Sequence, residues 1–283
     1  MWRSVLFVPV LEERFLAKAA GRGADALVLD LEASIIAERK VEAREALPQA
    51  IDRLCAEGQD VLVRINMLWR AALADLEFAV RDGVKAIVLP GCTSAAQVEA
   101  VDAVISELET ERGLENGSIG LVPLIEFAGG VVAAPEIAAV PRVIALTFGI
   151  EDYLADMECE EEPELLAQTA LTIVHAARAA GKVPLVVPET LANFSDLAVF
   201  EAGARRGRAM GSKGGFAVHP SQVEVLNNVF SPSPEELDWA RRVVQAAEKG
   251  EAAGLGAVAL DGRMIDLPIL LRAQKLLARA GAP

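Results

Sequence analysis

The sequence predicts an α/β fold, a TIM (β/α)8 barrel with a small C-terminal helical lid. Its 283 residues match the length of one closed barrel with a short additional segment. Eight short apolar runs alternate with stretches of helical character. The runs are continuously apolar, as expected for parallel strands that are buried on both faces. Eight such units close most economically as a barrel, and an open doubly wound sheet is the alternative.

Each predicted strand is rich in Val, Ile, Leu or Phe and is bounded by turn residues. In chain order the strands are residues 5–9 (VLFVP), 26–31 (ALVLDL), 61–65 (VLVRI), 86–90 (AIVLP), 119–125 (IGLVPLI), 143–148 (VIALTF), 183–187 (VPLVV) and 216–218 (FAV). Stretches rich in Ala, Leu, Glu and Arg predict helices over residues 12–20, 39–56, 72–81, 95–111, 131–138, 165–180 and 196–206. The acidic run 152–164 is expected to be mostly a solvated loop, apart from Asp152.

The barrel is predicted to occupy residues 1–230, and residues 231–283 are predicted to form a C-terminal lid or oligomerisation segment. The run Ser231-Pro232-Ser233-Pro234 interrupts the alternation of strands and helices. Helices are predicted over residues 234–249 and from about Met264 to about Arg279, with a Gly-rich stretch between them.

Composition limits the class of protein. With 53% hydrophobic and 24% charged residues, the chain has the composition of a globular protein. Its net charge of −14 argues against binding to nucleic acid. No apolar run reaches the roughly 18 residues of a membrane span, so we expect no membrane segment and a cytoplasmic location. The cysteines are widely spaced, which supports neither a disulfide framework nor a zinc site.

Candidate functional residues stand at the carboxyl ends of the predicted strands, where TIM barrels carry their chemistry. No lysine stands there, so a Schiff-base mechanism is not supported. Carboxylates, an amide, an arginine and a histidine do: Asp30, Glu32, Arg64, Asn66, Glu126, Glu151, Asp152 and His219.

Two of these carboxylates follow neighbouring strands. Glu126 and Asp152 are well placed to hold Mg²⁺, with Mn²⁺ as an alternative ion, because carboxylates, waters and substrate oxygens complete an octahedron. The alternative is two solvated loop carboxylates. Arg64 ends an otherwise apolar strand and could grip a substrate carboxylate, or it could form a structural ion pair with Asp30 or Glu32.

At these residues the sequence resembles the HpcH/HpaI aldolase and citrate lyase β-subunit superfamily, specifically its citrate-lyase-β-like branch, which is related to malyl-CoA and citramalyl-CoA lyases. The likeness covers nearly the whole chain in order. The motifs that carry it are RSVLFVP at residues 3–9, GAD at 23–25, DLE at 30–32, Lys40 with Ala43-Arg44, VRIN at 63–66, IE at 125–126, FGIED at 148–152, HPSQ at 219–222 and GRMIDLP at 262–268. Four positions depart from the family pattern: Val10, Ala33, Gly91 and Phe127.

The resemblance implies a TIM barrel that uses Mg²⁺ at the positions of Glu126 and Asp152 and a coenzyme A (CoA) thioester as the substrate carrier. It implies that Arg64 grips the substrate carboxylate, and we expect Asp30 and Glu32 to take part in substrate binding. It also implies that Asp266, on the lid, enters a neighbouring subunit's site and supports proton transfer, in a homotrimer or homohexamer.

The primary hypothesis is therefore a Mg²⁺-dependent carbon–carbon lyase. It would cleave or form a 3-hydroxy-dicarboxyl thioester such as citryl-, malyl- or citramalyl-CoA, with an acyl-CoA and a 2-oxo acid as partners. The alternatives are a malyl-type CoA thioester hydrolase, or the β subunit of a citrate lyase complex with other lyase subunits. A different class, a catalytically weakened scaffold or binding barrel, is suggested only by the altered residues at the barrel mouth.

Overall fold

Eight parallel strands form a nearly closed barrel in the computed structural model, which describes residues 2–279. The strands, β1 to β8, are Ser4–Pro9, Ala26–Asp30, Asp60–Arg64, Val84–Leu89, Gly120–Ile125, Ala145–Phe148, Val183–Leu185 and Gly215–Ala217. Hydrogen-bonded neighbours follow chain order from β1 to β7, and β8 pairs with β1. The predicted TIM barrel is confirmed.

The seam between β7 and β8 is joined by a loop residue rather than by a strand ladder. The Ser212 hydroxyl accepts a hydrogen bond from the Val186 N–H at 2.9 Å and lies 3.0 Å from the Pro184 carbonyl oxygen. The Lys213 N–H donates to the same carbonyl at 2.9 Å. These contacts bring the outer strands together and complete the circuit around the barrel.

Both faces of the strands are buried, which explains the continuous apolar runs. In β2, Ala26 and Val28 belong to a cluster inside the barrel, whereas Leu27 and Leu29 belong to a larger cluster that includes the helices. Successive strand residues therefore alternate between two apolar environments instead of between core and solvent.

Nine α-helices accompany the barrel within the described residues. The helices, α1 to α9, are Glu13–Ala19, Lys40–Ala56, Trp69–Ala79, Ala95–Glu111, Ala128–Ala139, Ile150–Met157, Pro163–Ala179, Leu197–Met210 and Pro220–Phe230, and short 3₁₀ turns cover Ala20–Arg22 and Ala37–Arg39. Among these residues, no helix has both the length and the apolar character needed to cross a bilayer.

Two helices differ from the sequence-based expectation. The acidic run was expected to be a loop, but α6 forms because Ile150 and Tyr153 are buried while its acidic side chains face outward. The Tyr153 ring packs edge-on against Phe148 at 5.2 Å, and its hydroxyl lies 3.0 Å from the Thr169 hydroxyl. The other is α9, for which no helix was predicted after β8.

The chain divides into two compact units between Phe230 and Ser231. The second unit contains helix α10 (Pro234–Ala252), the hairpin strands β9 (Val258–Leu260) and β10 (Arg263–Ile265), and helix α11 (Leu267–Arg279). It has a small apolar core of its own, made of Ala240, Val243, Ile265, Ala273 and Leu277. A capping box between Ser233 and Glu236 starts α10.

Candidate active site

A pocket of about 500 Å³ opens at the carboxyl ends of the barrel strands. This is the end at which TIM-barrel enzymes carry their active sites. The charged residues that line it are Asp30, Arg64, Glu126, Glu151, Asp152 and Glu189. The pocket thus brings together five of the residues expected from the sequence, Asp30, Arg64, Glu126, Glu151 and Asp152, and the remaining wall is mostly apolar.

Arg64 lies between two acidic partners at the ends of β2 and β3. Its Nε and Nη2 donate to the two carboxylate oxygens of Asp30 at 2.7 and 2.8 Å, and its Nη1 lies 2.9 Å from Glu32. The guanidinium also lies over the Phe7 ring, 4.5 Å from its centroid. Its other N–H groups have no partner among the described residues and can still donate to a bound carboxylate.

The pKa values of the two acids that flank Arg64 are shifted in opposite directions. Burial would raise the pKa of Asp30, but the hydrogen bonds and charge of Arg64, with backbone N–H donors, lower it below its ordinary value. Burial raises the pKa of Glu32, and the charge of Arg64 only partly offsets this effect. Asp30 is therefore the carboxylate that orients Arg64.

Glu126, directly after β5, is a buried carboxylate with a single hydrogen bond. It is 4% exposed and accepts the Gly91 N–H at 2.5 Å. No lysine or arginine of the described chain forms an ion pair with it. Burial, reinforced by the charges of Asp152 and Glu32, raises the pKa of Glu126 to about 8. Such a group is stabilised in its ionised form by a cation.

Asp152 lies in the first turn of α6, follows β6 and is exposed to the pocket. Gly149 leaves the other Glu126 oxygen accessible, because a Cβ at position 149 would lie only 2.7 Å from Oε2. Within residues 2–279 there is no cluster of three or more side chains suited to hold a metal ion. Glu126 and Asp152 could together offer two carboxylates, which would fit a hydrated, oxygen-preferring divalent cation.

A network of hydrogen bonds and an ion pair, between the ends of β2 and β3 and the helices α2 and α3, holds the strand ends that carry Asp30 and Arg64. Lys40 donates to the carbonyl oxygens of Leu31 and Glu32 at 2.7 and 2.6 Å, which fixes the turn after β2. Asn66 donates its backbone N–H and its side-chain amide to Asp75 at 2.7 and 2.6 Å. Arg44 donates to the other Asp75 oxygen at 2.6 Å. The ends of β2 and β3 are therefore held on both sides of Arg64.

The family model described as HpcH/HpaI aldolase/citrate lyase matches residues 3–220 of this chain. The chain belongs to the HpcH/HpaI aldolase/citrate lyase family.

Named relatives of the family extend the match over the full length. Citrate lyase subunit beta of Escherichia coli (strain K12) is 36% identical, with 98% of this chain and 93% of that protein aligned. The (3S)-malyl-CoA thioesterase of Cereibacter sphaeroides (strain ATCC 17029 / ATH 2.4.9) is 34% identical, with 99% and 95% aligned. CitE from Mycobacterium tuberculosis, whose crystal structure contains magnesium, acetoacetate and coenzyme A, has 31% sequence identity to this chain. The superposition of the two structures has a TM-score of 0.78 and covers 98% of this chain and 97% of the CitE chain.

The positions that depart from the pattern of the HpcH/HpaI family have different environments. Val10 is buried in the apolar core, whereas Ala33 lines the pocket. Gly91 donates to Glu126, and its φ of +61° favours glycine. A Cβ at Gly91 would lie 2.3 Å from the Met67 sulfur and 3.4 Å from the Phe127 ring. Gly91 is thus adapted to hold the buried carboxylate.

Two other residues singled out in the sequence, His219 and Asp266, are not among the residues that line this pocket. His219 is exposed after β8, with its Nδ1 2.7 Å from the Ser221 hydroxyl and its ring stacked on Phe194 at 5.1 Å. Asp266 belongs to the second unit, where Oδ1 accepts the Ile269 N–H at 3.4 Å near the start of α11.

Sequence analysis overlooked Asp75 and Glu189, and it named Gly91 and Gly149 without assigning them a role at the site. Asp75 had a detectable signal, because it shares the buried face of α3 with Ala72, Leu76 and Ala79. A charged residue on an apolar helix face requires a buried partner. The two glycines had no such signal, since their importance depends on the distant Glu126.

Proposed function

We propose that this protein is a Mg²⁺-dependent carbon–carbon lyase acting on a 3-hydroxy-dicarboxyl thioester such as citryl-, malyl- or citramalyl-CoA. The products would be an acyl thioester and a 2-oxo acid, and the reverse reaction would join them. The observation that carries the proposal is Glu126, a buried carboxylate without a cationic partner, in the pocket that also contains Asp152 and Arg64. The relative from Mycobacterium tuberculosis, which binds magnesium and coenzyme A, supports the same chemistry.

Glu126 and Asp152 would hold the ion, and the Gly91 N–H would keep the Glu126 carboxylate in place. When bound, Mg²⁺ supplies Lewis-acid polarisation of the substrate oxygen that becomes the ketone carbonyl. Mn²⁺ has a similar preference for oxygen ligands and would serve as an alternative.

Arg64 would bind the carboxylate next to the reacting carbon through the N–H groups that Asp30 and Glu32 leave available. Asp30 is already in place to fix the plane of the guanidinium, so little reorganisation is required when the substrate binds. The apolar residues that line the pocket would reduce the access of water to the reacting carbon once the substrate is bound.

In the cleavage direction, the substrate hydroxyl loses its proton to a water molecule, and the C–C bond breaks as the C=O bond of the 2-oxo acid forms. The electron pair of the broken bond passes to the carbon next to the thioester, giving an enolate. Protonation of that carbon completes the acyl thioester. We assign this proton to Asp266, delivered by the lid of a neighbouring subunit in a homotrimer or homohexamer.

Relatedness to a thioesterase supports a second candidate, hydrolysis of a malyl-type thioester. Likewise, 36% identity to a citrate lyase β subunit supports a role within a lyase complex, with the acyl group on a carrier protein instead of CoA.

One assay distinguishes these functions. Purified protein with Mg²⁺ is incubated with malyl-, citramalyl- and citryl-CoA, and free CoA and 2-oxo acid are measured separately. A lyase releases 2-oxo acid without free CoA, whereas a hydrolase releases free CoA without 2-oxo acid. Activity only with carrier-protein thioesters would indicate a lyase-complex subunit. If neither product forms with either carrier, the barrel is a scaffold and the proposal is wrong.

A further inference from the structure

The pocket has two chemically different sides. The charged side comes from β2, β3, β5 and the start of α6, and it carries Asp30, Arg64, Glu126 and Asp152. An adjoining side comes from β7, β8 and β1, which are neighbours around the barrel because β8 pairs with β1 and Ser212 joins the β7–β8 seam. It meets the charged side at Phe7, whose ring centroid lies 4.5 Å from the Arg64 guanidinium. We call this second side the aliphatic-aromatic wall. It consists of Phe7, Leu185, Val187, Leu191, Phe216 and Val218.

The wall is continuous and well packed. The Phe7 and Phe216 rings contact each other with centroids 5.4 Å apart, and Leu185, Val187 and Phe216 are nearly fully buried. Leu185 and Phe216 also belong to the apolar cluster inside the barrel. A substrate group directed toward this wall is therefore removed from water and gains from apolar contact.

The charges around the pocket strongly disfavour an additional anion. Among the described residues that line it, Arg64 is the only lysine or arginine, and it already pairs with Asp30 and Glu32. Glu189 lies between the wall residues Val187 and Leu191 in the chain, and Glu151, which also lines the pocket, accepts a hydrogen bond from Thr190. Even with a divalent cation bound, the acidic groups outnumber the positive charges.

We infer that the preferred substrate of this site releases a 2-oxo acid with one carboxylate and an uncharged aliphatic substituent, rather than a 2-oxo dicarboxylic acid. The inference rests on the proposed lyase function. Arg64, together with a cation that Glu126 and Asp152 would hold, would provide the positive charge for the first carboxylate and its neighbouring oxygen. A second carboxylate, as in citryl-CoA, that lies against the wall would have no positive partner there, and an unpaired buried charge is costly.

The test uses two thioesters that differ mainly in this charge. Citryl-CoA carries a CH₂–COO⁻ substituent and releases oxaloacetate. Its isostere with CH₂–CH(CH₃)₂ at the same carbon releases 4-methyl-2-oxopentanoate. With full-length protein and Mg²⁺, we expect kcat/KM for the uncharged isostere to exceed that for citryl-CoA by at least about 100-fold. Citramalyl-CoA, which releases pyruvate, should also be preferred over citryl-CoA.

Val218 offers a matched pair of variants. It lines the wall and is 44% exposed, so a longer polar side chain can be accommodated without filling the core. Val218→Arg supplies the missing cation and should shift the ratio of kcat/KM toward citryl-CoA by about 10-fold or more. Val218→Leu keeps the wall apolar and should leave the ratio unchanged. Thermal unfolding of both variants verifies the fold.

The outcomes separate the two proposals. If citryl-CoA is cleaved as efficiently as its isostere, or if Val218→Arg does not shift the ratio, the inferred selectivity is wrong while the lyase function stands. If none of the three thioesters yields a 2-oxo acid, both the lyase function and the selectivity that rests on it are wrong.

Discussion

The Glu126 carboxylate is held in a position that is unfavourable for an anion alone. It has one backbone donor, Gly91, and two acidic neighbours, and burial raises its pKa to about 8. A side chain in this situation is destabilising unless a ligand uses its charge. The same burial would strengthen its interaction with a cation, since water competes poorly there.

The first prediction concerns the two carboxylates proposed to hold the metal ion, Glu126 and Asp152. Glu126→Ala and Asp152→Ala should each abolish Mg²⁺-dependent turnover, because one remaining carboxylate is too few to anchor a hydrated ion. Titration calorimetry with Mg²⁺ or Mn²⁺, with and without a 2-oxo acid, measures the binding directly. Glu136→Ala, an exposed carboxylate on α5, is the matched control and should bind as the wild type does. If the wild type shows no binding that either site variant removes, the metal assignment is wrong.

The sequence suggested two roles for Arg64, a structural ion pair with Asp30 or Glu32 and the binding of a substrate carboxylate, and the structure is compatible with both. It forms ion pairs with Asp30 and Glu32, and it keeps N–H groups that face no partner in the described chain. A structural role and a role in substrate binding are therefore compatible. Kinetics and stability are needed to separate them.

The second prediction concerns Arg64→Lys, which preserves charge but removes the planar, paired donors. We expect a loss of roughly 2–4 kcal/mol in transition-state binding, measured from kcat/KM. Arg53→Lys, at an exposed ion pair with Glu13, serves as the control and should have normal kinetics. Near-normal kcat/KM in Arg64→Lys together with a lowered melting temperature would make Arg64 a structural residue only.

At the scale of elements, α2 and α3 contribute a buried ionic network rather than apolar contacts alone. Asp75 is 0% exposed and receives hydrogen bonds from Arg44 on α2 and from Asn66 after β3. Lys40, the first residue of α2, fixes the turn after β2. The helices on the outside of the barrel therefore determine where the ends of β2 and β3 lie.

The third prediction tests this network with Asp75→Asn. The variant keeps the shape of the side chain but leaves the Arg44 guanidinium without its counter-ion, so we expect a loss of about 3–5 kcal/mol in the free energy of unfolding. Urea denaturation measures it. Asp52→Asn removes an exposed partner of Arg81 and should have little effect. Equal stability of the two variants would show that the network does not hold the barrel mouth.

Individual strands and helices show why the barrel could be predicted from the sequence, whereas only part of the candidate site could. Strands such as β2 are recognisable because both of their faces are buried, so local composition reflects the environment. Helix α6 was missed because its acidic residues outnumber Ile150 and Tyr153, the two residues whose burial stabilises it. Position at a strand end identified Asp30, Arg64 and Glu126, since the barrel topology alone brings those ends together.

The roles of Gly91, Gly149 and Ser212 depend on contacts across the barrel. Gly91 donates to a carboxylate 35 residues away, and Ser212 joins two strands that share no ladder. No local pattern encodes such a distance. These residues can be interpreted only once the strands are placed in three dimensions.

At the scale of the whole molecule, the residues proposed to take part in the reaction belong to two different compact units. The first contains the pocket with Glu126, Asp152 and Arg64, and the second contains Asp266 beside the hairpin of β9 and β10. If Asp266 supplies a proton to the thioester carbon, the second unit must meet a pocket of its own or of another subunit. The fourth prediction distinguishes these arrangements by mixing subunits.

Asp266→Asn removes the ionisable group but retains an oxygen that can accept the Ile269 N–H, so the start of α11 should be preserved. Homogeneous preparations of Asp266→Asn and of Glu126→Ala should each be inactive. Mixed under conditions of verified subunit exchange, they should regain activity, because some sites will combine an intact barrel with an intact lid. Asp261→Asn, an exposed change in the adjacent hairpin turn, should be active without mixing. No recovery after exchange, or a strictly monomeric protein, would rule out delivery of Asp266 by a neighbouring subunit.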